Sequence, residues 1–241
     1  GGWVTDPAGK DWFIHFQDVI ELGRITHLQP MCFVDCWPFI GQDIDGDGIG
    51  EPVEEWKMPA EGMPAYEIAQ SDDFSSETLG LQWQWQANPR KEFYSLTENP
   101  EHLRLFCYYN HERENLLWYA PNVLTQIPQH KTLTMTAKIQ LQAQQYGDFG
   151  GIGIVGHSYG YIGLHNSKNG MEIRSYEGTV LEKTFEGKAE ERCVFQTAAD
   201  CTQVWLRAAI LEDKTFRLAF SFDGQVFEDT GHSFKLQRAT W

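Results

Sequence analysis

What the 241-residue sequence has little of narrows the field first. Positive charge is scarce: 19 Lys and Arg stand against 34 Asp and Glu, a formal charge of −15. Such a field repels polyanions, so neither nucleic acid nor an anionic membrane surface is an expected partner. No apolar run approaches the roughly 20 residues that a membrane-spanning helix needs. Cysteines are few, at 32, 36, 107, 193 and 201. They form no CxxC pair, and their odd number excludes a complete disulfide framework. Cys32 and Cys36 are close enough in sequence to pair, but buried free thiols are the expected state. Amphipathic helices of three turns are missing. So are an initiator Met and a signal segment, since the chain opens at Gly1-Gly2-Trp3. An upstream segment is therefore expected to be absent, and the compartment stays open.

What is present reads as strands from end to end. Aromatic residues reach 14%, with nine Trp, a content that fills cores or stacks against sugar faces. Trp12-Phe13-Ile14-His15-Phe16 is one β-rich run. Thr132 to Leu141 alternates apolar and polar residues, the period of a half-buried strand. Val204 to Ile210 and Phe216 to Phe222 follow, the second closed by the hairpin signal Asp223-Gly224. Short spaced strands without helices predict an all-β chain, closed or packed as a sandwich. Residues 59–71 contain Pro59, Gly62 and Pro64 without a strand pattern and read as a linker. Residues 72–241 have the size of one sandwich. Residues 1–58 are too few for a domain, because strands without closing partners leave apolar faces and edges bare.

Two catalytic-looking motifs fail on context. Gly151-Ile152-Gly153-Ile154-Val155-Gly156 matches the dinucleotide fingerprint, which works only between a strand and a helix. Here Tyr159-Gly160-Tyr161-Ile162-Gly163-Leu164 follows, another strand, so the glycines are expected to allow close approach of a second layer. Gly156-His157-Ser158-Tyr159-Gly160 matches the nucleophile elbow of serine hydrolases, with Asp223 and His232 downstream in the right order. The alternating helices of that fold are missing, and Ser158 is expected in a hairpin turn.

A third motif has the right residues in the wrong setting. Asp43, Asp45, Asp47, Gly48 and Glu54 fit the spacing of a calcium loop, in which alternating carboxylates and a bidentate Glu surround the ion. The flanks read as strands, Pro52 lies inside the loop, and Asp with Gly is also the composition of a β-turn. Calcium and a plain turn both stay open, with Asp43, Asp45, Asp47 and Glu54 as the candidate ligands.

Two stretches carry a family resemblance. The first is Gly1-Gly2-Trp3-Val4, Asp11 to Asp18, and Leu22-Gly23-Arg24-Ile25-Thr26-His27-Leu28-Gln29-Pro30-Met31. It resembles the final blade of family 43 glycoside hydrolases of the xylosidase and arabinofuranosidase branch. The second is Asp73-Phe74-Ser75, Leu79 to Pro89, and Leu117-Trp118 with Ala120 to Gln126. It is similar to the concanavalin A-like sandwich that follows the propeller in many of these enzymes. The resemblance implies an all-β chain: the last blade of a five-bladed β-propeller, then an antiparallel β-sandwich of jelly-roll type. It implies an inverting hydrolase of xylosidic or arabinofuranosidic bonds in plant cell-wall polysaccharide, needing no cofactor for its chemistry. The catalytic carboxylates, and a His tied to an axial metal or water site, are implied in upstream blades missing here, so no catalytic residue is expected in this chain. Arg24 is implied to reach the sugar, offering forked donors to hydroxyls. His27 is implied either to back that contact or to bond within its strand. The sandwich is further implied to continue past Trp241, so truncation at both ends is expected. A lectin-like binding module without chemistry is the competing reading. Trp83 and Trp85 share one face of a strand and should be both core or both platform, which separates the two.

Overall fold

The computed structural model describes the chain except residues 20, 21, 63, 65, 110, 112, 113, 182–187 and 238–241. Among the described residues there is no α-helix, and helical geometry is confined to two 3-10 turns, Lys91–Phe93 and Leu117–Tyr119. The chain divides into two units, Gly1–Ile68 and Ala69–Trp241, and the stretch expected as a linker lies across that division.

The first unit is one antiparallel sheet in sequence order: β1 (Gly2–Thr5), β2 (Asp11–Val19), β3 (Gly23–Val34) and β4 (Trp37–Ile40). Its turns are set by residue chemistry. Between β1 and β2 the Asp6 carboxylate accepts the amides of Ala8 and Lys10, both at 2.9 Å, and the indole N–H of Trp12 at 3.0 Å. Trp12 is the buried aromatic of this sheet. The β3–β4 turn is two residues, Asp35 and Cys36, at φ of 50° and 70°. Positive φ at both positions is the turn geometry that matches the twist of a tight hairpin. Gln29, buried in β3, uses its side-chain amide as a strand would use its backbone. It accepts the Val53 N–H at 2.7 Å and donates to the Val53 carbonyl at 3.2 Å. That pins the chain beyond the acidic loop back onto the sheet. Trp3, Phe33, Val34 and Trp37 are exposed.

The second unit places two four-stranded antiparallel sheets around one core. Strands β10 (Phe149–Ile154), β11 (Ser158–Ser167), β12 (Gly170–Val180) and β13 (Ala189–Ala198) form the first. The second runs in the order β16 (Glu228–Lys235), β15 (Thr215–Ser221), β14 (Gln203–Ile210) and β9 (Leu133–Gln140). Two-stranded pieces precede them: β5 (Gln84–Trp85) with β8 (Leu124–Thr125), and β6 (Tyr94–Ser95) with β7 (Arg104–Leu105). This is the concanavalin A-like architecture the sequence resemblance implied. Alternation puts Ile162, Leu164, Ile173, Val204, Leu206, Phe216, Leu218 and Phe220 into the shared core. Each such side chain stabilises the sandwich by about 1.5–3 kcal/mol.

Strand β11 is buried on both faces, which is why period-two alternation is faint there. Ile162 and Leu164 face the core, while Tyr159 and Tyr161 pack on the opposite side with Trp118, Phe149 and Tyr176. Gly178, opposite Tyr159 in β12, makes room for that layer: a Cβ there would lie 2.0 Å from the Tyr159 ring. The five thiols depart from expectation. All are free, four are exposed and Cys201 is half-buried. Cys36 sits in a turn, and Cys32 and Cys193 occupy exposed strand positions rather than the core-facing ones.

Candidate functional site

Arg24 stands at the start of β3, and its neighbours across the sheet are the far end of β2. Asp18 is its register partner, and the two side chains form an ion pair with N to O of 3.8 Å. Its guanidinium lies 4.2 Å from the centre of the Phe16 ring. Two flanking contacts orient the fork, yet the side chain keeps 40% of its surface exposed. An oriented guanidinium that stays partly exposed presents a planar fork of N–H groups of the kind that recognises hydroxyls. Three residues along, His27 pairs with His15, the rings stacked at 5.3 Å, and Phe13 stacks on His15 at 5.9 Å. The Nε2 of His27 is buried and has no hydrogen-bond partner among the described residues.

The acidic loop brings three of the four expected ligands together. Side-chain oxygens of Asp43, Asp45 and Asp47 lie within 4.8 Å of one another. Glu54 is not in that group. The physical reason is the hairpin closure: Gln42 and Glu51 pair across the loop, which leaves Glu54 beyond the closing bridge. Glu51 takes the inward position instead, accepting the Ile44 N–H at 2.9 Å. Asp43 accepts the amides of Gly46 and Gly48, and Asp45 and Asp47 accept those of Asp47 and Ile49. The loop therefore holds its own shape as a series of Asx turns, and carboxylate lone pairs remain for a cation.

In the sandwich, neither rejected motif gains a site. β10 and β11 form a hairpin, so no helix follows the glycine-rich run. Ser158 is not in the turn; it is the first, buried residue of β11. Asp223 is spent in the β15–β16 turn, where it accepts the amides of Gln225 and Val226 and the Ser221 hydroxyl. Those bonds, the Gln225 amide foremost, hold its carboxyl below the usual carboxylate range. Trp83 and Trp85 are neither both core nor both platform. Each is half-buried against a separate aromatic partner, Trp83 on Phe74 at 5.7 Å and Trp85 on Tyr94 at 5.2 Å. The Trp83 indole also donates to Asp72 at 2.7 Å. Side chains held this way anchor the segment ahead of β6.

The strongest polar constellations were not picked out by sequence motif. On the outer face of the first sheet, Glu191 of β13 accepts the hydroxyls of Tyr159 at 2.9 Å and Tyr161 at 2.5 Å, and the Leu117 amide at 2.6 Å. Burial, and then the Glu191 charge, push both phenols far above their ordinary pKa. They stay protonated donors, and the carboxylate ties the 3-10 turn Leu117–Tyr119 to the sheet. The alternation of Tyr159 and Tyr161 around Gly160 is the one sequence signal for this face. Further along the same face lie His165, Glu172 and Arg174. Glu172 accepts Arg174 Nε and Nη2, each at 2.7 Å. Burial opposes the Glu172 charge, but bonds from Arg174 and Ser167 outweigh it and hold the carboxyl below its usual range. Burial and the Arg174 charge push His165 down, so its imidazole is neutral at neutral pH.

Comparison with known proteins adds four findings. A family described as the β-xylosidase C-terminal concanavalin A-like domain matches residues 71–240. A β-xylosidase of Formosa agariphila is 30% identical over 263 residues, covering 100% of this chain and 43% of that protein. A non-reducing end α-L-arabinofuranosidase of Bacteroides ovatus, BoGH43B, is 40% identical over 89 residues, covering 35% of this chain and 15% of that protein. Among solved structures, a bifunctional GH43-CE protein of Bacteroides eggerthii superposes with a TM-score of 0.73 at 24% identity, covering 98% of this chain and 29% of that one. This last likeness shows the fold. The chain spans less than half the length of these relatives.

Proposed function

The chain belongs to the family of β-xylosidase C-terminal concanavalin A-like domains, and from that premise we propose that it is the C-terminal part of a glycosidase of glycoside hydrolase family 43. The match across residues 71–240 supports this reading most. In it, Gly1–Ile68 supplies a propeller blade, and the remaining blades lie in the rest of a longer protein. The substrate is a xylosidic or arabinofuranosidic linkage of plant cell-wall polysaccharide, in keeping with the names of the two relatives. Inversion requires an acid carboxyl and a base carboxylate about 6.5–9.5 Å apart, with water between them. Both belong to upstream blades in this reading. Arg24 is the contribution of this chain to the pocket wall: it donates to sugar hydroxyls, oriented by Asp18 and Phe16. His27, on the opposite face of β3 from Arg24, stacks on His15 and steadies the strand. The test is the stereochemistry of the longer protein on a nitrophenyl xyloside or arabinofuranoside, followed by proton NMR. The first sugar released should carry the anomeric configuration opposite to that of the substrate. Retained configuration would overturn the inverting mechanism.

The same reading gives the acidic loop a calcium ion held by Asp43, Asp45 and Asp47. An ion that binds the folded state alone raises stability by mass action, by about 2.7 kcal/mol at 100 times its dissociation constant. Melting of the longer protein should therefore move upward in calcium and back in chelator. Equal melting in both would remove the ion from this account.

A further inference from the structure

A cavity of about 370 Å³ opens at one end of the outer face of the first sheet, lined in part by Tyr146, His165, Asn166, Lys168, Asn169 and Arg174. Among the described residues, no carboxylate lines it, in a chain whose formal charge is −15. Glu172 neutralises Arg174 from behind, and Asp148 is turned into the neighbouring loop, so neither carboxylate lines the cavity. Lys168 has no ion-pair partner among the described residues, and His165 is neutral. The charge presented to a ligand here is positive.

Both rims are built rather than loose. On one side, the Asp148 carboxylate accepts the amides of Gln144 and Gln145 at 2.8 and 3.0 Å. Asn166 donates through its side chain to the Gln145 carbonyl at 2.8 Å, and its carbonyl accepts the Gly147 N–H at 2.9 Å. That loop displays the Tyr146 ring, 69% exposed. On the other side, Ser167 closes the β11–β12 turn, donating to the Gly170 carbonyl at 2.9 Å and accepting the Asn169 amide at 3.1 Å. That turn displays Lys168. The Nδ1 of His165 is buried with no hydrogen-bond partner among the described residues and lies 4.0 Å from Glu172. Rims held in place before binding reduce the ordering cost of capture.

We propose that this cavity binds a saccharide unit bearing a carboxylate, a uronic acid. The class follows from the lining. An exposed phenol ring offers a face for the C–H side of a pyranose. The carboxamides of Asn166 and Asn169 and the imidazole of His165 supply donors and acceptors for hydroxyls. Lys168 meets the carboxylate, where a charged hydrogen bond is stronger than a neutral one. The proposal rests on the carbohydrate reading for its choice of ligand, but it needs no hydrolysis. A failure here leaves the hydrolase assay untouched, and the reverse also holds.

The experiment is calorimetric titration of the longer protein with methyl β-glucuronide and with methyl β-glucoside, which differ at one ring carbon, carboxylate against hydroxymethyl. The glucuronide should bind at least about tenfold tighter, and raising salt should erode the difference. Lys168→Glu and Tyr146→Ala, both at exposed positions, should each weaken glucuronide binding about tenfold or more with melting unchanged. Equal binding of the two sugars, no binding of either, or full glucuronide affinity in Lys168→Glu would each overturn the proposal.

Discussion

Arg24→Ala, made in the longer protein that holds the whole active site, is expected to lower kcat/KM on nitrophenyl xyloside or arabinofuranoside by about 100-fold. A hydrogen bond from a charged group is worth about 1.5–3 kcal/mol net, which is a factor of about 10 to 150. The fork is preorganised by the Asp18 ion pair and the Phe16 ring, so little ordering offsets that gain. Arg24→Lys should fall between the two, because an ammonium keeps the charge but cannot bridge adjacent hydroxyls. Melting should move little in either variant, since the side chain is 40% exposed and its ion pair is a surface one. Unchanged kinetics in Arg24→Ala would remove this residue from the pocket.

Glu191→Ala is expected to destabilise the sandwich by several kcal/mol, because each buried donor left without an acceptor costs about 1–3 kcal/mol. The loss is large because three donors converge on this carboxylate. Tyr159 is fully buried and Tyr161 nearly so, and each hydroxyl would be left without an acceptor. The Leu117 amide would lose its partner too, freeing the 3-10 turn from the sheet. Glu191→Gln should cost less, because its carbonyl still accepts while its NH2 faces donors. Urea unfolding followed by near-ultraviolet circular dichroism reads both variants through the stacked Trp118 and Tyr159 rings. A midpoint for Glu191→Ala equal to that of the parent would show that this network contributes no stability.

The strands that the sequence made legible are those with one face in the core. Thr132 to Leu141 alternates cleanly, and β9 covers Leu133–Gln140; Val204 to Ile210 lies within β14, Gln203–Ile210. The Asp223-Gly224 hairpin forms because Asp223 can accept the two amides that follow it. In β11 the alternation is masked, because Tyr159 and Tyr161 are buried on the side where alternation predicts solvent. Their layer depends on Trp118 and Glu191, which lie 30 or more residues away in sequence and carry no motif. The exposed thiols have a similar origin: hydrophobicity argues for burial, and strand register decides which positions face the core. In the acidic loop, spacing selected Glu54, whereas the Gln42–Glu51 bridge brings Glu51 inward. Arg24 and His27 carry no signal beyond the family resemblance, since a single Arg and a single His on a strand have no periodic signature. The cationic cavity was also invisible in sequence. Tyr146, Lys168 and Arg174 come from a loop, a turn and a strand that only the sheet register assembles.

In the proposed division of labour, this chain contributes a pocket wall and a sandwich, and the acid and base lie elsewhere in a longer protein. The direct measurement is nitrophenol release from xyloside and arabinofuranoside substrates by purified 1–241 and, in parallel, by the longer protein. Proton delivery and water activation each require a positioned carboxyl, so the 241-residue chain should stay at the level of a heat-killed control. The longer protein should hydrolyse at least one of the two substrates. Hydrolysis by 1–241 well above that control, abolished by replacing an acidic residue within it, would contradict the account.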